Sequence, residues 1–236
     1  MKVKLTHPSI SCICITGYRP QQLLKAIVGF DAQNYPNKSL IVSYPRADQE
    51  SKGLLSKILQ FSSLNIITIE RDNDSSVGMA KNEAIQESTA EYICIWNDGA
   101  LYHYDRILHQ YNDMLVKHFQ AGVLSRVFIY DARQQRSYHS VPYNWGDTLI
   151  CKKDILLSHP YEDANNLEDR YLFDFLTIHN SLDQVYDSAY LYTMVITGNE
   201  SHARHNLSFL LRQSETMNEQ SNQYLKQQFD YQYQLA

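Results

Sequence analysis

Between Ile10 and Leu115 one local pattern occurs four times: a short apolar run, a polar turn, then apolar residues at helical spacing. The apolar runs are residues 10–16, 39–43, 65–70 and 92–96. The helical stripes are Leu23, Leu24, Ile27 and Val28, then Leu54, Leu55, Ile58 and Leu59, then Ala80, Ala84 and Ile85, then Ile107, Leu108, Tyr111, Met114 and Leu115. Four consecutive strand-helix units require parallel strands with helices on both faces, an α/β fold. Ligands on such a sheet sit outside the carboxyl ends of its strands.

Beyond Ala121 the rhythm breaks. Residues 123–130 and 137–141 read as strands around the polar turn 131–136, residues 147–152 and 184–197 read as two more, and helices are expected over 153–157 and 167–176. The tail from Asn206 begins as a helix and drifts into Gln and Tyr, which suits a frayed helix or a docking segment better than a separate domain.

Charge narrows the function. Lys and Arg number 21 against 26 acids, a net −5 that disfavours a polyphosphate backbone as partner, so no nucleic acid is expected. The apolar stretch near the N-terminus is interrupted by Ser11, Thr16 and Gly17 and is too short for a signal peptide or a span, so a soluble, cytoplasmic protein is expected. Cys12, Cys14, Cys94 and Cys151 show no paired spacing and read as buried reduced thiols. Neither a GxxxxGK nor a GxGxxG phosphate loop is present.

Two places carry chemistry by residue type. The helix near Val77 has Lys81 in its first turn, so helix dipole and cation would together face a pyrophosphate; a solvated Lys on an amphipathic helix is the alternative. The run 92–96 ends in "WNDGA", where Asp98 is the one carboxylate, although a hard divalent cation wants several oxygen ligands. Asp98 as a plain helix-approach residue is the alternative there.

Four ordered segments resemble the family 2 inverting glycosyltransferases of the GT-A fold. "ISCICITGYRP" resembles the family's opening strand and turn, and "GFDAQNYPNKSLIVSYP" its Gln-x-Tyr-Pro segment with the second strand. "SSVGMAKNEAI" resembles its Gly-x-x-x-Ala-Arg-Asn helix start, and "AEYICIWNDGALYHYDRI" its Asp-x-Asp element. The resemblance covers about half the chain and implies a GT-A nucleotide-binding fold: a mainly parallel central sheet flanked by helices, with a mixed acceptor half. On this reading residues 1–205 form one domain, 1–120 its nucleotide-sugar half and 121–205 its acceptor half, with 206–236 as a tail.

The resemblance implies transfer of a hexose from a nucleotide diphosphate sugar, a UDP-sugar first, to a saccharide acceptor with inversion, in cell-surface polysaccharide synthesis. It leaves peripheral membrane association open. It places Thr16, Tyr18, Arg19, Asp48, Asp72, Lys81, Asn97 and Asp98 around the donor, with Asp74 a further contact. Lys81 stands where the family has Arg, and Asn97 and Gly99 stand at the two Asp positions. Mn2+ or Mg2+ is therefore expected to bind weakly, through Asp98. "EDANNLEDRYLFDFL" matches the acceptor-side Glu-Asp segment, which implies Asp169 as base and Glu168 as an acceptor contact. Acids favoured in a first helical turn are the alternative. Tyr143 and Trp145 would offer a platform for a sugar ring; core packing is the alternative for the Trp. "ITGNESH" resembles a segment in which the family has His at Thr197; His202 or His205 could stand in its place, with His202 the candidate metal ligand, and a structural or solvated His is the alternative. The competing reading is a non-catalytic nucleotide-sugar or glycan-binding protein on a degenerate scaffold.

Overall fold

The structure, a computed structural model, describes residues 7–198 and 207–234. Its first half follows the repeating pattern: β1 (Ile10–Ile15), α1 (Pro20–Asp31), β2 (Lys38–Pro45), α2 (Gln49–Phe61), β3 (Ile66–Arg71), α3 (Val77–Glu87) and β4 (Tyr92–Ile95). Next come β5 (Ala100–Tyr102), α4 (Arg106–Val116), β6 (Ala121–Leu124), β7 (Phe128–Asp131), β8 (Arg136–His139), β9 (Ile150–Lys152), α5 (Lys153–Ser158) and α6 (Arg170–Ile178). The chain closes with β10 (Leu182–Val185), β11 (Tyr192–Ile196), α7 (Leu207–Gln213), β12 (Glu215–Thr216) and α8 (Glu219–Gln234).

The strands form two sheets. The larger has the order β10-β6-β9-β4-β1-β2-β3 and is parallel except at β9, which runs antiparallel to both neighbours. The smaller has the order β12-β8-β7-β11-β5. Strand alternation divides the large sheet's core. Ile10, Cys12 and Cys14 pack under α1, α2 and α4 with Leu23, Phe30, Leu55 and Ile107, while Ile13 and Ile41 pack on the other face with Ala84, Ile85, Leu156 and Leu176. All four Cys are buried free thiols. The tail docks rather than standing apart: α8 lays Leu225 and Phe229 against Leu101, Tyr130 and Val195 on the outer face of the small sheet.

Three expectations need correction. Residues 123–130 are two strands, β6 and β7, broken where Ser125 donates to Val185 and accepts from Tyr143. Residues 184–197 are likewise β10 and β11, separated by a turn with Asp187 at φ 55° and a short 3-10 turn at Ala189–Leu191. In both cases the chain leaves the large sheet for the small one, and an apolar run gives no sign of that exchange. Third, residues 147–152 begin as a 3-10 turn, Gly146–Thr148, so that only Ile150–Lys152 is strand.

Candidate active site

The carboxyl ends of β1, β2 and β4 converge on the turn after β1. Arg71, at the end of β3, ties two of these ends together: Nη1 donates to the Ser43 carbonyl at 2.7 Å and Nη2 to the Thr16 carbonyl at 2.9 Å. Its burial presses its pKa below the usual guanidinium value. The turn itself holds Tyr18 at φ 56°, a left-handed conformation rare for a non-glycine residue. Asp48 secures it, accepting from the Tyr18 N–H at 2.5 Å while capping α2 through the Ser51 N–H at 3.0 Å. Burial raises the Asp48 pKa, but these N–H donors and Arg71 outweigh it and hold the carboxyl below its ordinary range. Asp48 thus braces the turn, Tyr18 stands exposed above it, and Asp72 lies outside in a surface pair with Arg46 at 3.2 Å. A cavity of about 370 Å³ opens beside them, lined by Arg46, Arg71, Asp72, Asp74, Ser76 and Asp163.

The turn after β4 is the crossover from the large sheet to the small one. Asn97 closes it: its Oδ1 accepts from the Gly99 N–H at 2.8 Å, and the Tyr102 hydroxyl accepts from its N–H at 2.6 Å and donates to its carbonyl at 2.7 Å. Asp98 is 2% exposed; Thr16 donates to Oδ2 at 2.6 Å and Arg19 pairs with Oδ1 at 3.1 Å. These residues do not fit a divalent cation. The turn's own carboxylate, Asp98, already faces a guanidinium, the neighbouring Asp147 carboxylate accepts from the Asn97 amide, the Asn97 oxygen is engaged, and Gly99 and Ala100 contribute no side-chain ligand. No cluster of three or more His, Cys, Asp or Glu able to hold a metal occurs among the described residues, and His202 lies outside them.

The start of α3 differs from its expected open anion site. Its first N–H groups are taken up internally: Val77 donates to Asn165 Oδ1, Gly78 to the Ala164 carbonyl and Met79 to Ser76 Oγ. Glycine is required at 78, because a Cβ there would run into the Glu162 carbonyl. Asn82 grips the same segment through both the N–H and the carbonyl of Tyr161. Lys81 pairs with Glu168 at 2.7 Å, both ends largely buried, and its ammonium lies 4.7 Å from the Tyr161 ring centroid. Donor-side and acceptor-side candidates thus form one ion pair, not two separate contacts.

Asp169 is the N-terminal flanking residue of α6, but its carboxylate makes no capping bond. It lies instead over Gly146. Burial raises its pKa above the ordinary carboxylate value; Lys81 opposes the shift, and Glu168 and Asp147 reinforce it. Asp147 itself accepts from Asn97 Nδ2 at 3.2 Å, so the group whose charge acts on Asp169 is bonded to the turn after β4. Sequence reasoning missed Asp147, Arg71 and Asn82. The matched Gly-x-x-x-Ala-Arg-Asn segment ends at Asn82 and carried the only available signal. Trp145 is packed in the core of the small sheet with Leu124 and Ile129, edge-on to Tyr143, so the exposed aromatic surface belongs to Tyr143.

A mixed, mainly parallel sheet flanked by helices is the fold of GT-A-like glycosyltransferases. The structure is similar to residues 1–349 of S. aureus TarS, with a TM-score of 0.65 and 13% identity over 79% of this chain and 60% of that one. The same fragment in complex with UDP-GlcNAc gives 0.67 at 12% identity, over 81% and 60%. The mannosyltransferase PcManGT from Pyrobaculum calidifontis, in complex with GDP-Man and Mn2+, gives 0.68 at 13% identity, over 89% and 62%. This chain thus spans about 60% of the length of these neighbours. By sequence, no protein-family model and no curated protein matches it.

Proposed function

We propose that this protein is a glycosyltransferase that moves a hexose from a nucleotide diphosphate sugar, a UDP-sugar first, to a saccharide acceptor with inversion. One observation carries the reading. On a GT-A-like fold, the Asp169 carboxylate is free of capping, lies over Gly146 beside Asp147, which is itself bonded to Asn97 of the turn after β4, and has its pKa raised. A carboxylate so placed suits general-base work, whose efficiency improves as the base's pKa approaches the working pH.

In the proposed reaction Asp169 removes the proton of the acceptor hydroxyl as that oxygen attacks the anomeric carbon. The carbon–oxygen bond to the diphosphate breaks on the opposite face, and the nucleotide leaves with the electron pair. A single base suffices for inversion. Thr16, Tyr18, Arg19 and the bracing Asp48 form the nucleotide side, and the exposed Tyr143 the acceptor side. Asn97 and Asp98 hold the floor between them. The protein works in cell-surface polysaccharide assembly, from the cytoplasm or peripherally at a membrane face; no helix among the described residues is long and apolar enough to cross a membrane.

The test is release of nucleotide diphosphate from a panel of UDP- and GDP-sugars with saccharide acceptors, followed by NMR of the new anomeric centre. Turnover lost in Asp169→Asn with unchanged nucleotide affinity supports the assignment; full turnover in that variant removes Asp169 as base. A binding protein without turnover is the second reading, favoured by the internal engagement of Lys81 and of the α3 N–H groups. Donor binding without any transfer or hydrolysis would select it.

A further inference from the structure

Resting on that donor reading, we propose that Arg19, held in place by the buried Asp98, is the fixed cation that receives the diphosphate and does the work a divalent metal ion would otherwise do. The turn after β4 brings together no set of free oxygen ligands. Asp98 Oδ1 faces Arg19 at 3.1 Å, Oδ2 accepts from Thr16 at 2.6 Å, and the Asn97 oxygen is committed to the Gly99 N–H. A cation entering here would have to displace a guanidinium from a carboxylate 1% exposed.

Two cations were candidates for the diphosphate, and the structure separates them. The Lys81 side chain is 9% exposed and bound to Glu168. The Arg19 side chain is 47% exposed, with Nη2 turned to Asp98. A guanidinium carries five N–H donors in a planar fork, so one edge can rest on Asp98 while another meets phosphate oxygens. Asp98 acts through Arg19 as a positioning residue: the buried carboxylate sets the plane of the fork, and Thr16 sets the carboxylate. Arg71 adds a second guanidinium on the other side of the turn, with Nη2 3.5 Å from the Cβ position of Gly17. Asp48 and Asp98 are occupied by the contacts already described, so among the described residues of this turn the exposed edge of Arg19 is a charged donor left over from the turn's own bonding.

Calorimetry on the full chain with UDP and GDP, in EDTA and again with Mn2+, tests the proposal. Affinity is expected to be the same in both conditions. It should fall about tenfold in Arg19→Gln, about 1.4 kcal/mol, and less in Arg19→Lys, which keeps the charge and loses the fork. Asp98→Asn should weaken binding in the wild-type background and change little in the Arg19→Gln background. A purely structural role for Asp98 would not produce that non-additivity. Electron paramagnetic resonance of Mn2+ with the protein alone should show only the free-ion spectrum. Nucleotide binding abolished by EDTA and restored by Mn2+, or unchanged in folded Arg19→Gln, overturns the role of Arg19 and leaves the donor reading standing. If neither UDP nor GDP binds in either condition, the donor reading fails and the role of Arg19 with it.

Discussion

The Asp169 carboxylate occupies the space that a methyl group on Gly146 would need, with Oδ2 well inside contact distance of that position. Gly146 has no left-handed φ, so alanine fits its backbone and the collision falls on the Asp169 side chain. Gly146→Ala is therefore expected to displace Asp169, the proposed base, without unfolding the protein. Misplacing a catalytic group by about 1 Å costs ~10²-fold in rate. Turnover should fall by that order while calorimetric UDP affinity stays within about 0.5 kcal/mol of the parent, the scatter of a distant surface change.

Asp169 and Asp48 shift in opposite directions, which gives opposite pH signatures. The raised folded-state pKa of Asp169 means that the native state holds this proton to higher pH than the unfolded chain does, so its contribution to stability is lost as pH rises through that window. Asp169→Asn should thus stabilise the protein at neutral pH and make no difference below the ordinary carboxylate pKa. Asp48, with its pKa depressed, contributes stability at neutral pH that disappears as pH falls through its folded-state value. Asp48→Ala should cost about 1 kcal/mol at neutral pH, as a lost helix cap does. Urea unfolding of both variants from pH 3 to pH 8, about the range spanned by unperturbed carboxylates and neutrality, reads both effects; parallel curves for variant and parent would contradict them.

Lys81 and Glu168 form a pair whose side chains are 9% and 13% exposed. Removing one partner of a buried pair strands the other charge, at a cost of ~3–5 kcal/mol, whereas replacing both with apolar residues is often neutral. Lys81→Met should therefore destabilise strongly, and Lys81→Met with Glu168→Leu should recover most of the loss. Equal losses for the single and double variants in chemical denaturation would show that the pair is not coupled.

Gly78→Ala should be more damaging than its small size suggests. The added Cβ meets a backbone carbonyl, that of Glu162, which has no rotamer to escape by. Overpacking of this kind costs ~1–3 kcal/mol. The α3 start and the 161–168 segment should separate, increasing hydrogen exchange at the Val77 and Gly78 amides that now donate to Asn165 and Ala164. Unchanged protection at those amides would place the accommodation elsewhere.

The sheet's first four strands were legible because each carries its own signal. Cys12 and Cys14 alternate with Ile13 on a strand buried on both faces, and Leu23, Ile27 and Phe30 repeat at helical spacing on the segment that covers one of them. β5 carried no such signal: it has three residues, and it exists only because β11 pairs with it antiparallel, Tyr192 opposite Tyr102. Of the candidate site, Asp169 and Arg19 were within reach of residue type and motif. Asp147 was not, since its significance lies in a bond to Asn97 fifty positions away.

What the sequence determined alone is the parallel α/β scaffold and the addresses of its strand ends, because period-2 and period-3.6 apolar patterns are local and repeat within a few residues. Only the tertiary structure decided what those addresses do. Whether Asp98 awaits a cation or grips Arg19, and whether the α3 amides face a ligand or the 161–168 segment, depends on groups brought together from distant parts of the chain. A carboxylate or an N–H is the same in any sequence; its partner, its burial and hence its charge state are properties of the packed chain.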